Sequence, residues 1–312
     1  MRNEVVTVFG GSGFLGRYVV RRLAAEGAQV RVVCRYPQQA LHLRTMGEIG
    51  QVVVMRGNVA AETDLASYVD GATAVINLVG ILFQWGRQRF DAVQATAPGR
   101  MAAAAREAGA TRFVHLSAIG ADTSSDAAYA RTKAAGETAV LEEFAGATIL
   151  RPSVVFGAED DFFNRFAQMA GISPFLPLIG GGQTRFQPVY VDDVAQAVMK
   201  ALTDPDTRGQ TYELGGPDVY TFKELLEYLV EVLGRKRLLL DVPTGLANVK
   251  ARFFEYLPKP PLTRDQIALL ATDNVVSAGA KTFADLGIQP TPMQVVVPTY
   301  VQRYARHQTQ RA

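Results

Sequence analysis

Cysteine, long apolar runs and excess charge are all scarce in this 312-residue chain. Its one cysteine, Cys34, excludes an intrachain disulfide framework and is typical of a protein from a reducing compartment. No apolar run approaches the length that a membrane-spanning helix needs. The formal net charge of +2 gives no electrostatic reason to expect a nucleic-acid partner. With 48% apolar and 20% charged residues, the composition is that of a folded globular protein.

A glycine-rich turn near the start of the chain is the strongest local signal. The β-branched run Val5–Phe9 precedes it, and an amphipathic stretch from Arg17 to Glu26 follows it. Two glycine patterns overlap here, G-x-G-x-x-G and G-x-x-G-x-x-G, and the sequence does not say which set touches a ligand. Either pattern between a strand and a helix predicts a dinucleotide-binding turn, because the backbone approaches a pyrophosphate at the helix N-terminus. The residues that we expect at the ligand are Gly10, Gly11, Ser12, Gly13, Phe14, Leu15 and Gly16.

Short apolar strands alternate with helical stretches through the first half of the chain. This alternation predicts an α/β fold: a Rossmann-type doubly wound parallel sheet with helices on both faces. We expect a dinucleotide-binding domain over residues 1–156, with returns to it from about 183–215, and a smaller, irregular C-terminal α/β domain over 157–312. The predicted strands are Val5–Phe9, Gln29–Cys34, Gln51–Met55, Ala74–Leu78, Arg112–Ser117 and one that opens with Thr148–Leu150, and the later predicted helices are Arg89–Glu107 and Tyr129–Glu143.

The second half contains two further local predictions. Phe186–Val191 has the pattern of a strand, with Asp192 or Asp193 capping the helix that follows. Thr221 begins a helix that ends near Leu233, and the spacing of Thr221 and Glu224 is that of a capping box.

Polar residues after the predicted strands are candidates for cofactor contacts. Arg35 stands at the end of the second strand, where an NAD-binding fold usually has an acid that bonds the ribose 2′-hydroxyl. A cation there favours a 2′-phosphate and therefore NADP(H), unless Arg35 simply reaches solvent. Asn58 follows the third strand and is a candidate for the adenine edge. Leu78, Val79 and Gly80 close the fourth strand near the middle of the cofactor, although both segments also suit ordinary turns.

Tyr129 and Lys133 form the pattern Y-x-x-x-K after the fifth predicted strand. A spacing of four residues places both side chains on one face of a helix. An ammonium group near a phenol lowers the pKa of the phenol and favours proton transfer at a carbonyl or an alcohol. The same lysine can bond the nicotinamide ribose. The bare pattern is common on helix surfaces, but its place in a dinucleotide fold makes it a strong candidate site. We predict no metal site.

These motifs together resemble the extended short-chain dehydrogenases/reductases, and one branch fits much better than the others. The chain is similar to the nucleotide-binding accessory subunits of respiratory complex I, the alpha-subcomplex subunit nine family. The stretches that carry the resemblance span nearly the whole chain: Phe9–Val20, His42–Gly47, Val75–Gly80, Phe113–Ser117, Gly157–Asn164, Gln187–Val191, Leu262–Asp265 and Asp285–Pro292.

The resemblance implies a bound NADPH that is not turned over, and a role in the assembly and stability of complex I. The partners would be subunits of its peripheral arm, with contact to the lipid surface. The location would be the cytoplasmic face of a bacterial inner membrane or the mitochondrial matrix side, without a transmembrane helix. Residues carried over are Gly10, Gly13, Gly16 and Arg35 at the phosphates and ribose, Tyr129 and Lys133 at the nicotinamide end, and Ser117, Pro152 and Val155 elsewhere along the cofactor.

One residue departs from the pattern of an active reductase. The catalytic serine or threonine of the superfamily lies just past the fifth strand, and Ile119 aligns with it here. An apolar side chain cannot stabilise a developing oxyanion. Ser124 and Ser125 are near enough in sequence to substitute, so the position does not decide the question alone.

Two functions from different classes are therefore open. The first is a non-catalytic NADPH-binding subunit of complex I. The second is a free NADP-dependent reductase or sugar-nucleotide epimerase/dehydratase. A regulatory NADPH sensor is a third interpretation that uses the same residues. Basic residues between Gly234 and Lys259 form either a solvated face or a docking surface for an acidic partner or anionic lipid. They are Arg235, Lys236, Arg237, Lys250, Arg252 and Lys259.

Overall fold

The computed structural model describes residues 1–61, 64–257 and 260–305. Strands and helices alternate along the described chain. None of the helices in these residues is long and apolar enough to cross a membrane. In chain order the strands are β1 (Val5–Phe9), β2 (Gln29–Cys34), β3 (Val52–Arg56), β4 (Ala74–Asn77), β5 (Arg112–Leu116), β6 (Thr148–Pro152), β7 (Val155–Phe156), β8 (Phe175–Ile179), β9 (Arg185–Phe186), β10 (Val189–Tyr190), β11 (Thr211–Leu214), β12 (Tyr220–Thr221) and β13 (Leu238–Val242). The α-helices are α1 (Phe14–Ala25), α2 (Ala66–Val69), α3 (Ala97–Glu107), α4 (Ala128–Glu143), α5 (Phe162–Ile172), α6 (Val191–Thr203), α7 (Phe222–Val232), α8 (Thr244–Phe254), α9 (Arg264–Leu269) and α10 (Met293–Val301).

The chain divides into two compact units. The first comprises Met1–Pro152, Val191–Leu214 and Ser277–Gln289, and the second comprises Ser153–Tyr190, Gly215–Val276 and the chain from Pro290 onward. The boundary after Pro152 falls four residues before the expected one, and the return over Ser277–Gln289 was not predicted.

A parallel sheet forms the centre of the first unit, and among the described residues it has seven strands in the order β3-β2-β1-β4-β5-β6-β11. The order reverses between β1 and β4, which is the switch point where doubly wound sheets bind ligands at the carboxyl ends of their strands. The α/β Rossmann-type prediction is confirmed. One face of the sheet packs through Phe9, Val75, Phe113 and Ile149 against a core that includes Met101.

The second unit is built from short strands and an aromatic core. Strand β8 pairs in parallel with β13, β7 with β10, and β12 runs antiparallel to β9. Helices α5, α7 and α10 bury their apolar faces in one cluster that includes Phe163, Leu225 and Val297. The predicted capping box is confirmed: Thr221 accepts from the Glu224 amide, and the Glu224 carboxylate accepts from the Thr221 amide.

Two local predictions were wrong. Phe186–Val191 is not one strand, because Pro188 interrupts it; β9 and β10 are two residues each and helix α6 already begins at Val191. Asp192 and Asp193 therefore lie inside the first turn of α6 rather than before it. The Asp192 carboxylate instead pairs with Arg22 of α1, with Nη2 to Oδ2 at 2.7 Å, a tertiary contact that local sequence does not reveal.

Candidate functional site

The turn between β1 and α1 has a shape that only glycine allows at two positions. Gly10 has φ +80°, and a Cβ there would lie 3.0 Å from the carbonyl carbon of Leu78. A Cβ on Gly16 would lie 2.5 Å from the Gly10 carbonyl oxygen, so α1 packs directly on the turn. Gly11 is different, because its hydrogens face the core side chains Val32 and Val8. Backbone conformation and close backbone contacts therefore require glycine at positions 10 and 16, whereas core side-chain packing requires it at position 11.

Helix α1 begins at this turn without a side-chain cap. Its N-cap is Gly13, which forms no side-chain capping hydrogen bond. The first turn also holds no acid. Such an N-terminus presents N–H donors and the positive end of the helix dipole to an anion. Ser12 and Phe14 are partly exposed beside it, whereas Leu15 and Gly16 are buried.

The two side chains expected at the adenosine half of the cofactor, Arg35 and Asn58, are not buried. Arg35 follows β2, is exposed, and its guanidinium carbon lies 5.7 Å from the centre of the Tyr36 ring. Asn58 follows β3, and its Oδ1 accepts from the Ala60 amide at 3.3 Å, as in an ordinary Asx turn.

The backbone after β4 connects the glycine turn to helix α4. The Leu78 amide donates to the Phe9 carbonyl at 2.9 Å, and the Val79 amide donates to Asn77 Oδ1 at 3.0 Å. A Cβ placed on Gly80 would lie 3.5 Å from Lys133 Nζ. The segment Leu78–Gly80 thus lies between the two strongest sequence motifs.

Tyr129 and Lys133 lie on one face of α4, as their spacing predicts. Lys133 Nζ is 5.9 Å from the centre of the Tyr129 ring and donates to the Leu116 carbonyl at 3.0 Å. The lysine is 4% exposed. Burial lowers the pKa of Lys133 to about 8, although the charge of Glu137 acts in the opposite direction. Phe90 packs edge-on against Tyr129, with ring centres 6.0 Å apart.

The segment after β5 contains Ile119, the residue that we expect at the position of the superfamily's catalytic hydroxyl. Ile119 is buried there, and its amide donates to the Pro152 carbonyl at 3.0 Å. Ser124 Oγ is bound to the Asp122 carboxylate, at 2.8 Å from Oδ1, and Ser125 Oγ accepts from the Ala127 amide. Both serines therefore stabilise a local turn.

The remaining predicted residues fall in different places. Ser117 is buried at the end of β5, its amide donates to the Leu150 carbonyl, and its Oγ finds no partner among the described residues. Pro152 is buried at the end of β6. Val155 lies in the second unit, where it pairs with Val189.

Sequence reasoning missed a buried polar residue beside α4. Gln94 is 1% exposed and lies in a π-helical turn, Asp91–Thr96, within the helix predicted as continuous from Arg89. Its Oε1 accepts from the Ile81 amide at 3.0 Å, and its Nε2 donates to Thr132 Oγ1 at 3.2 Å. No spacing rule predicts this link, because the glutamine bonds two segments that are distant in sequence.

The residues of the first unit fit a dinucleotide. The glycine turn carries no side chains at Gly10, Gly11, Gly13 and Gly16 that could shield its backbone from a ligand. The uncapped helix α1 offers N–H donors, and the buried Lys133 ammonium has hydrogens left to donate after its bond to the Leu116 carbonyl. These features are those expected of a nucleotide-binding protein of the epimerase and reductase class. In agreement, residues 6–215 match the model of the NAD dependent epimerase/dehydratase family, and the chain belongs to that family, whose cofactor is a nicotinamide dinucleotide.

Solved structures share this fold at low sequence identity. A nucleoside-diphosphate-sugar epimerase from Staphylococcus aureus superposes with a TM-score of 0.74 at 16% identity, covering 97% of this chain and 100% of that one. A UDP-glucuronic acid 4-epimerase from Bacillus cereus gives 0.67 at 17% identity, covering 96% and 99%.

Relatives with higher sequence identity than these structures show to which branch of the family the chain belongs. The NADH dehydrogenase [ubiquinone] 1 alpha subcomplex subunit 9 of Arabidopsis thaliana is 40% identical over 92% of this chain and 74% of its own length. The protein of that name from Rattus norvegicus is 34% identical over 98% and 81%. A ceramide reductase from Caulobacter vibrioides is 30% identical over 77% and 74%. The chain is thus a member of the alpha subcomplex subunit 9 family, as the sequence motifs predict.

Proposed function

We propose that this chain is an NADPH-holding accessory subunit that supports the assembly and stability of respiratory complex I and does not turn its cofactor over. The observation that carries the proposal is the contrast at the carboxyl ends of β1, β4 and β5. The nucleotide-holding elements are present, but the position of the polarising hydroxyl holds the buried side chain of Ile119. Ser124 is committed to Asp122. A carbonyl substrate would therefore lack a donor for its developing negative charge.

NADP(H) is the better fit of the two nicotinamide dinucleotides. Arg35 is exposed at the end of β2, beside the exposed ring of Tyr36, and the following residue is Pro37 rather than an acid. A guanidinium at this point can pair with a 2′-phosphate, whereas the 2′-hydroxyl of NAD would lack its usual carboxylate acceptor.

Relatives named as NADH dehydrogenase [ubiquinone] subunits support complex I as the partner. A surface of the second unit also suits a location at the membrane. Leu246, Val249 and Phe253 form an apolar stripe along α8, and they are 51%, 58% and 69% exposed. Lys250 and Arg252 are also exposed on α8. An apolar stripe flanked by cations suits the headgroup region of an anionic leaflet. The leaflet would be the cytoplasmic one in a bacterium or the matrix one in a mitochondrion. Lys259 of the predicted basic cluster lies outside the described residues.

A free reductase or epimerase remains the second candidate, and one observation favours it. Tyr129 and Lys133 keep the arrangement of a proton-transferring pair, with Nζ 5.9 Å from the ring centre. A subunit that only holds the cofactor can use the same two side chains to bind the nicotinamide end.

Purification from native membranes under mild detergent tests the proposal directly. The chain should migrate with a large redox complex and release stoichiometric NADPH, which carbonyl substrates fail to oxidise. A soluble, solitary chain that oxidises added NADPH with a carbonyl substrate, at a rate that Tyr129→Phe abolishes, would establish the enzyme instead.

A further inference from the structure

A buried pair of side chains joins β4 to β5 behind the candidate site. Asn77 and His115 are register neighbours in the parallel sheet, and they are 0% and 1% exposed. The amide Nδ2 of Asn77 lies 3.0 Å from Nδ1 of His115. Neither residue has a role in the function proposed above.

The hydrogen bonds around Asn77 determine the tautomer of the histidine. The Val79 amide donates to Asn77 Oδ1 at 3.0 Å, so the other end of the side-chain amide, Nδ2, faces His115 as a donor. Nδ1 of His115 must therefore accept, which leaves the proton of the neutral ring on Nε2. Burial, assisted by the charge of Lys133, lowers the pKa of His115 to about 3, so the accepting form persists at neutral pH.

These two hydrogen bonds, His115 to Asn77 and Asn77 to the Val79 amide, end on the backbone between the glycine turn and α4. A Cβ on Gly10 would lie 3.1 Å from the Val79 nitrogen, and a Cβ on Gly80 would lie 3.5 Å from Lys133 Nζ. The Asn77–His115 pair therefore holds Val79 within the segment that lies between the glycine turn and α4.

We infer that His115 is a positioning residue for the dinucleotide: acting through Asn77, it sets the backbone of Leu78–Gly80 against the central and nicotinamide parts of the ligand. The inference rests on the proposed nucleotide-binding function and extends it to a residue that does not touch the ligand. It predicts an effect on the nicotinamide half and little effect on the adenosine half.

Calorimetric titration of the full chain with NADPH and with adenosine 2′,5′-bisphosphate tests this difference. Removing the acceptor in His115→Leu leaves a buried Asn77 donor unpaired, and should weaken NADPH binding about tenfold. Binding of the bisphosphate should change less than about twofold. His115→Asn places an oxygen where Nδ1 stood and should recover NADPH affinity to within about threefold of the parent. Equal loss for both ligands, or no rescue by asparagine, would overturn the inference.

Two further measurements separate positioning from general destabilisation. Gln51 is a buried polar control whose Nε2 donates to the Ala24 and Ala28 carbonyls. Gln51→Leu should lower Tm without changing the ratio of the two affinities. In the unliganded protein, 15N NMR should find the His115 proton on Nε2, and the Val79 amide should exchange faster in His115→Leu. A chain that binds neither ligand would refute the proposed function, whereas an Nδ1 proton or unchanged Val79 exchange would refute the positioning role itself.

Discussion

Replacing Lys133 with methionine should raise the free energy of unfolding of the protein without ligand, and should weaken binding of the proposed cofactor, NADPH. The lysine is almost fully buried, and its pKa falls from 10.5 to about 8 on folding. At pH 7 the folded state still carries the charge, which burial has made unfavourable. A shift of that size corresponds to about 3 kcal/mol of lost stability, since one pKa unit is about 1.4 kcal/mol.

Part of the stability that Lys133→Met gains is offset by the loss of a hydrogen bond. Its Nζ donates to the Leu116 carbonyl at 3.0 Å, and losing one such bond costs about 1 kcal/mol. Methionine keeps the length and the apolar stem of the side chain, so little packing is lost. The expected net stabilisation at pH 7 is about 2 kcal/mol.

The pH dependence gives a second, independent readout. Between about pH 8 and the unfolded pKa of 10.5, the folded lysine has lost its proton while the unfolded one retains it. The unfolded state then binds more protons, so the stability of the parent rises with pH across this window. The advantage of Lys133→Met over the parent should therefore shrink from pH 8 to about pH 10.

Urea denaturation of both proteins at a series of pH values, with and without NADPH, measures these differences. Lys200→Met is the matched control, because Lys200 is a half-exposed lysine that pairs with Asp204, and it should change stability little at any pH. A Lys133→Met protein that is no more stable than the parent at pH 7, or whose difference from the parent is constant up to pH 10, would refute the reasoning.

Four other substitutions or conditions give sharp expectations. Gly16→Ala places a Cβ 2.5 Å from backbone atoms and should abolish NADPH binding or folding. Gly13→Ala, whose Cβ would have its nearest neighbour at 3.3 Å, should fold. Equal Tm by circular dichroism and equal NADPH affinity by calorimetry for the two variants would contradict this. Arg35→Asp should lower the NADPH to NADH affinity ratio by about tenfold or more, and an unchanged ratio would remove Arg35 from the ribose site. Phe253→Glu should reduce sedimentation with anionic vesicles, and equal binding would exclude the α8 stripe. Burial lowers the pKa of His115 from 6.5 to about 3, so between these pH values the unfolded state binds one more proton than the folded state. The free energy of unfolding should therefore fall as pH drops from 6.5 to about 3, and His115→Asn should lessen that fall in urea titrations. Parallel curves of unfolding free energy against pH for the two proteins would refute this prediction.

Local physics explains which parts of the fold could be predicted. The strands of the sheet are short runs of apolar residues, and their predicted bounds agree with the structure to within about two residues. The Thr221 capping box needs only two side chains three residues apart, so its sequence signature is complete. Tyr129 and Lys133 share a helix face for the same reason.

Contacts between distant segments could not be predicted in this way. Asp192 pairs with Arg22, and Gln94 bonds Ile81 and Thr132, but neither contact has a signature in local spacing. The π-helical turn that holds Gln94 depends on close approach to α4, where a Cβ on Gly136 would lie 2.0 Å from the Gln94 carbonyl oxygen. The candidate site was therefore predictable as a set of motifs, but the buried polar residues around it were not.

The route of the chain through its two units has a consequence for synthesis. The edge strand β11 pairs with β6 across an excursion of the chain into the second unit. The Glu213 amide then donates to the Lys281 carbonyl at 2.8 Å, and the Ser277 amide donates to Glu213 Oε2 at 2.7 Å. A nascent chain still bound to the ribosome cannot form these two hydrogen bonds at the edge strand β11 until residues 277–281 have emerged. No single cut releases either unit whole, so a prematurely terminated product should reach quality control with an open sheet edge.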